Sequence, residues 1–335
     1  MEHLPLPCKL DGGVNYNLLL LLQCLTVCSV DLFVLISGYF SSKTDRRVVG
    51  KPLDLLIQSV IFVILSYFAK IATTGESFSA SHFSELFIPS NYFVILYITL
   101  YLISPYINIV LRRLSVSQRK IRCFIIVLLL LFSIFPMINN AVAYLVGRQI
   151  IGFSSIGRLG NQWGYNIVNF CLLYCVGAAI RYLELDKTIK KRSAGVMAAC
   201  CVIVNYLMYK FAIRPEMGHV AWMYDNIFVI LLSASLFIYF KQLTFKSAFI
   251  NTFAKAAFIC YLIHNKLLPY LKIESFVNQP FYIMLAHLLL SLIAIYIFAW
   301  GIWYVYTLIT TPIFKRLNTI SIPILTDEEG DDSKG

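Results

Sequence analysis

Apolar runs long enough to cross a lipid bilayer recur along this chain at about 18–40, 52–71, 92–111, 121–138, 165–183, 194–212, 222–240, 249–268 and 281–310, and no other feature limits its fold as strongly. A helix rises 1.5 Å per residue, so roughly 20 apolar residues cover the hydrocarbon core. Inside lipid the backbone must bond to itself, which helices do within a single segment. Charged residues make up 13% of the 335, where soluble chains carry about a quarter. A soluble enzyme is thereby excluded. The expectation is an all-α polytopic membrane bundle of about nine spans with no room for a separate soluble domain of ordinary size. It divides into a short extracytoplasmic N-terminus (1–17), a transmembrane domain (18–310) and a cytoplasmic tail (311–335) that is acidic from Asp327 to Asp332.

The excess of 28 Lys and Arg over 17 Asp and Glu reads as a topology signal and not as a nucleic-acid surface, because position decides. Basic residues collect in alternate connections, with 20 in the set that begins with Lys43, Arg46, Arg47 and Lys51 and 8 in the other. The positive-inside rule puts the first set and the C-terminus in the cytoplasm and Met1 outside, in a multi-pass cell-membrane protein. Tyr92, Tyr165, Trp222 and Trp303 edge their runs as interfacial residues do. The nine cysteines show no metal-finger pairs and all but Cys8 lie in or beside apolar runs, so they read as packing residues. No cleavable signal peptide is apparent in MEHLPLPCKLDGG. The longest connection, Asn139 to Tyr165, is predicted outside; its Arg148 and Arg158 either touch an anionic saccharide or lipid-phosphate acceptor or belong to a solvated or re-entrant connector.

Within the first run Asp31 is the one formal charge. A carboxylate in lipid costs a few kcal/mol or more, so it is expected to face the bundle interior or a wet cavity. Cys24, Cys28, Asp31, Leu35 and Gly38 follow at spacings of four and three and share one face. Asp31 to Phe40, DLFVLISGYF, resembles the signature of an early helix in the membrane acyltransferase 3 family. The resemblance continues in Tyr92–Phe93 and Tyr101 to Asn108, YLISPYIN, and returns in Tyr261 to His264, YLIH. It covers about three quarters of the chain in the family's order and is nearest to members that decorate bacterial surface polysaccharides. It implies acyl transfer from acyl-CoA to a hydroxyl acceptor. It also implies a helix before the first run, carrying a basic residue and a His about ten positions later. Only seventeen residues precede Leu18 and His3 is not at a position to stand in, so the expectation is a truncated or degenerate member or a start placed downstream of the natural one.

Tyr261 and His264 lie one turn apart on one face, toward the outer half of the membrane. Imidazole suits the removal of a proton from a sugar hydroxyl as it attacks a thioester; the plainer reading is a His at the outer interface bonded to Tyr261, Asn265 or water. Asp31 is the partner by charge, holding one imidazole nitrogen, or else it bonds a polar group on a neighbouring helix and holds the bundle together. Ser37 lacks the G-x-S-x-G context of a nucleophile, and Gly38 beside it is expected to permit close helix approach or an irregular helix end. Lys43, Arg46 and Arg47 suit the phosphates of acyl-CoA, acetyl-CoA above all, as well as they suit the topology rule. His82, His219 and His287 are read as loop or packing residues, and no metal or bound cofactor is expected. A carrier or flippase for lipid-linked oligosaccharide, and a non-catalytic remnant, remain the alternatives.

Overall fold

A computed structural model describes residues 13–88, 91–148, 164–212, 218–244 and 246–322. The acidic tail and His3 lie outside them. The first apolar run folds as α1 (Val14–Thr26) and α2 (Ser29–Ser41), interrupted at Val27 and Cys28. There follow α3 (Gly50–Thr74), a short α4 (Ala80–Glu85) and α5 (Tyr92–Ser115). Next, α6 (Gln118–Leu129) passes through a π-helical turn at Leu130–Ile134 into α7 (Phe135–Val146). Beyond them lie α8 (Ile167–Tyr182), a one-turn α9 (Leu185–Thr188) and α10 (Lys191–Lys210). A 3₁₀ turn at His219–Trp222 leads to α11 (Ile227–Lys241). The chain closes with α12 (Ala248–Ala254), α13 (Ala257–Leu267), α14 (Ile273–Phe276) and α15 (Phe281–Leu317).

Seven of the described helical stretches are long and apolar enough to cross a membrane. The runs expected at 165–183 and 249–268 differ from plain spans. The first gives only the 16 helical residues of α8, and the second is split at Lys255 and Ala256. The last runs on to 37 residues, roughly 55 Å, well beyond the hydrocarbon core. Its basic C-terminal end is pinned back against the α2–α3 connection, where Val48 and Ser321 form an isolated antiparallel bridge.

The bundle is built around α8, which is buried from Asn169 to Ile180 apart from the half-buried Cys171. A helix apolar all round belongs in the middle of a bundle. Its closest neighbour is α2, and two glycines set the approach. A β-carbon on Gly38 would lie 2.1 Å from the Tyr174 carbonyl oxygen, and one on Gly177 would lie 2.0 Å from that of Leu35. Helices in lipid lack a hydrophobic drive toward each other and associate through such small-residue contact. The helices α5, α8 and α11 each start on an asparagine cap, Asn91, Asn166 and Asn226, whose side chains accept backbone N–H bonds from Phe93 and Val94, from Asn169 and from Phe228.

At the basic end the YLISPYIN segment explains itself. Pro105 inside α5 has no N–H to offer, which frees the carbonyl of Tyr101 one turn earlier. In lipid a freed carbonyl must find another donor. Arg47 Nε supplies it at 3.1 Å and Ser104 Oγ at 2.9 Å, while Arg47 Nη2 also reaches Ser104 Oγ at 2.7 Å. Asn108 completes the clasp, donating to the carbonyls of Ser41 (3.0 Å) and Thr44 (3.2 Å) and accepting from the Tyr174 hydroxyl (2.8 Å).

Candidate active site

Where the first run breaks, Asp31 falls in the first turn of α2, at the positive end of the helix dipole, which favours a carboxylate. It is fully buried, and among the described residues neither of its carboxylate oxygens accepts a hydrogen bond. Its electrostatic neighbours are Asp225, Tyr165, Tyr224 and Cys28. Asp225, 3% exposed, sits in the turn between the 3₁₀ segment and α11. Nothing in its local sequence marks it as a site residue.

Several polar side chains border the segment that carries Asp225. From the π-turn, Ser133 Oγ donates to the Asp225 carbonyl at 2.6 Å; such turns inside α-helices are frequent at functional sites. Asn140 Nδ2 contacts the Met223 sulfur at 3.1 Å, Asn226 Nδ2 donates to the Val220 carbonyl at 2.8 Å, and Asn169 Nδ2 donates to that of Gly164 at 3.2 Å. Gly164 has φ +88°, and a β-carbon there would stand 2.7 Å from the Asp225 nitrogen, so only glycine lets this connection pass. Among the described residues, the carboxyl group of Asp31, the side chain of Asn139 and Oδ1 of Asn169 find no hydrogen-bond partner. Buried polar groups are nearly always satisfied, and unpartnered ones need a reason such as a ligand or water.

Four tyrosines run from these acids to the YLIH helix. Tyr165 stands edge-on to Tyr224 with ring centres 4.7 Å apart and tilts against Tyr92 at 4.5 Å. Tyr261 lies within electrostatic reach of Tyr92, and its hydroxyl donates to Oδ1 of the neighbouring Asn91 at 3.4 Å. The Tyr261 ring lies 6.0 Å from that of His264. Tyr92 and Tyr165, expected as membrane-interface anchors, are turned inward.

Half-buried His264 is oriented by its own helix. Its Nδ1 lies 2.7 Å from the Tyr261 carbonyl and 3.2 Å from that of Cys260. Carbonyl oxygens only accept, so Nδ1 carries the hydrogen and Nε2 keeps the lone pair a base requires. The tautomer-fixing bond that sequence analysis offered to Asp31 is made by a backbone carbonyl. No hydrogen bond or ion pair joins Asp31 to His264; the two border opposite ends of the tyrosine file.

At the basic end Lys43 and Arg46 are exposed, with Lys43 over the Tyr182 ring at 5.7 Å and Arg46 Nε bonded to Ser321 Oγ at 3.2 Å. Arg47, the third of the expected set, is 3% exposed and spends its guanidinium on the clasp. Two cations not anticipated join them around Tyr39, Arg181 at 5.7 Å and Lys241 at 5.8 Å from its ring. Arg181 Nη1 also caps the end of α2 through the carbonyls of Tyr39 (2.9 Å) and Phe40 (3.0 Å). Lys187 is bonded to Glu184, and that bond holds the exposed Glu184 carboxyl below its usual range.

Arg148 is exposed just past the end of α7; Arg158 lies outside the described residues. Ser37 bonds the Tyr97 hydroxyl at 2.8 Å and the Phe33 carbonyl at 3.1 Å and has no base beside it. His82 is an exposed neighbour of Glu85, His219 stands edge-on to Trp222 and His287 stacks on Phe276 at 3.7 Å.

Residues 11–313 match a family model described as an acyltransferase domain. No curated protein and no solved structure matches the chain with significance.

Proposed function

Because the chain belongs to the membrane acyltransferase 3 family over residues 11–313, we propose that it passes an acetyl or other short acyl group from acyl-CoA to a hydroxyl of a surface or lipid-linked saccharide at the cell membrane. The observation that carries this reading is the file of phenols between the buried acids Asp31 and Asp225 and the pair Tyr261 and His264.

In this reading the C-terminus is cytoplasmic and acyl-CoA docks from that side. Its phosphates meet Lys43 and Arg46, with Arg181 and Lys241 beside them, while Arg47 shapes the connection that presents the first two. Arginine forks and lysine ammoniums both suit phosphate oxygens. The saccharide hydroxyl attacks the thioester carbon and its proton passes to Nε2 of His264. The C–O bond forms, the C–S bond breaks, and the thiolate of CoA takes that proton from Nε2 of His264 to leave as the thiol, which returns the imidazole to its neutral form. Tyr261 and the phenols behind it donate to oxygen that gains charge as the carbonyl is attacked. Arg148 and Arg158, predicted on the outer side, face the acceptor.

The test is mass spectrometry of lipid-linked and surface glycan from cells with and without the gene, together with label transfer from radioactive acetyl-CoA in membranes. Gain of acetyl ester that depends on His264 supports the reading. Glycan that crosses the membrane with unchanged mass overturns it in favour of a carrier.

A further inference from the structure

A cavity of about 300 Å³ opens between α3 and α15 at the basic end, apart from the buried acids. Its wall includes Asp54, Gln58, Trp303, Tyr306, Thr310 and Lys315. The depth follows from the length of α15. About 20 residues from Phe281 are enough to fill the hydrocarbon core, which in the orientation proposed above brings Trp303 onward toward the lipid headgroups. Lys255, 5.7 Å above the Trp303 ring, marks the same interface.

Two opposite charges share this wall without meeting. Asp54 Oδ1 accepts from the Tyr306 hydroxyl at 2.6 Å, and no ion pair or hydrogen bond joins Asp54 to Lys315. A carboxylate and an ammonium at a membrane interface attract each other more strongly than in water, so a cavity that holds both apart is shaped for a group bearing both charges. The threonines sharpen the choice. Thr307, Thr310 and Thr311 each donate to a carbonyl of their own helix, so their hydroxyl oxygens serve as acceptors for a further partner. Together with Asp54 they make a set of acceptors, and Trp303 and Tyr306 add ring faces that attract a cation.

We propose that this cavity binds the headgroup of an aminophospholipid from the adjacent leaflet, of the phosphatidylethanolamine type. The primary ammonium is held by Asp54, the threonine oxygens and the aromatic faces, and the phosphate is held by Lys315. A choline headgroup lacks the N–H donors that these acceptors require, and a glycerol headgroup lacks the cation. The site is independent of acyl transfer.

The test is native mass spectrometry of the whole chain released from nanodiscs holding equal parts phosphatidylethanolamine, phosphatidylcholine and phosphatidylglycerol. The wild type retains the ethanolamine lipid in preference to the other two, and soluble phosphoethanolamine at high concentration lowers that retention. Asp54→Asn lowers it roughly tenfold, as expected for loss of one charge-assisted bond. Thr310→Val weakens it in the same direction without touching a charge, which separates binding from any folding defect of the first variant. Equal retention of all three lipids, retention unchanged in both variants, or displacement of the bound lipid by CoA overturns the proposal.

Discussion

Asp31 and Asp225 are the two residues whose chemistry is hardest to explain as packing. Each is nearly free of solvent contact, they lie within electrostatic reach of one another, and Asp31 meets no donor. A structural aspartate in lipid ordinarily ends in a bond to a neighbouring helix, as one sequence-based reading of Asp31 held. Two predictions belong at this scale. Asp225→Asn replaces one of two adjoining buried carboxyl groups with a neutral amide of the same size, so the unfolding temperature in detergent is expected to stay level or rise, while acyl transfer falls by roughly 100-fold. A lowered unfolding temperature with transfer intact would show a purely structural role. His264→Gln, which keeps a polar side chain but offers no imidazole base, is expected to slow transfer by roughly 100-fold or more, read from initial rates with labelled acetyl-CoA.

For helices and their ends, the family-like segments owe their residues to contact with one another. Gly38 in α2 and Gly177 in α8 bring two backbones together, and Pro105 in α5 frees the carbonyl that Arg47 binds. Gly38→Ala must separate α2 from α8, and the expected cost is about 3 kcal/mol, the upper range for overpacking; equilibrium unfolding in mixed detergent measures it. Arg47→Ala leaves the Tyr101 carbonyl with Ser104 as its remaining donor and is expected to cost about 2 kcal/mol. In the double variant Arg47→Ala, Pro105→Ala the restored N–H at position 105 returns a helical bond to Tyr101, so part of that loss should be recovered. Strict additivity of the two changes would refute the clasp as described. Gly38 was readable from sequence as a point of close approach, because a small residue on a polar face has few other uses in lipid. The clasp was not, since Arg47 followed by an apolar run looks like any topology signal.

For the molecule as a whole, the bundle places polar chemistry at two levels. Cations gather around Tyr39 and Tyr182 at one end, and the acids and tyrosines lie toward the other. The orientation proposed above predicts that a cysteine placed at Lys43 reacts with a membrane-impermeant maleimide only after cells are opened. A cysteine at Arg148 should react in intact cells. The reverse pattern would invert the direction from which acyl-CoA arrives.

The sequence alone determined that this chain is helical, that it lives in lipid and which family's motifs it carries, because segment length, apolarity and local spacing are properties of neighbouring residues. It also placed Asp31 on a face shared with Gly38, and Tyr261 one turn from His264. What only the tertiary structure decided is which faces meet. Asp225 comes to Asp31 from nearly two hundred residues away in the chain, and Tyr92, Tyr165 and Tyr224 converge from three separate connections. Arg47 turns inward while Arg46 beside it stays in solvent. Helical periodicity fixes the direction of a side chain relative to its own axis. The neighbour it finds depends on how separate helices rotate and pack, and no stretch of local sequence carries that information.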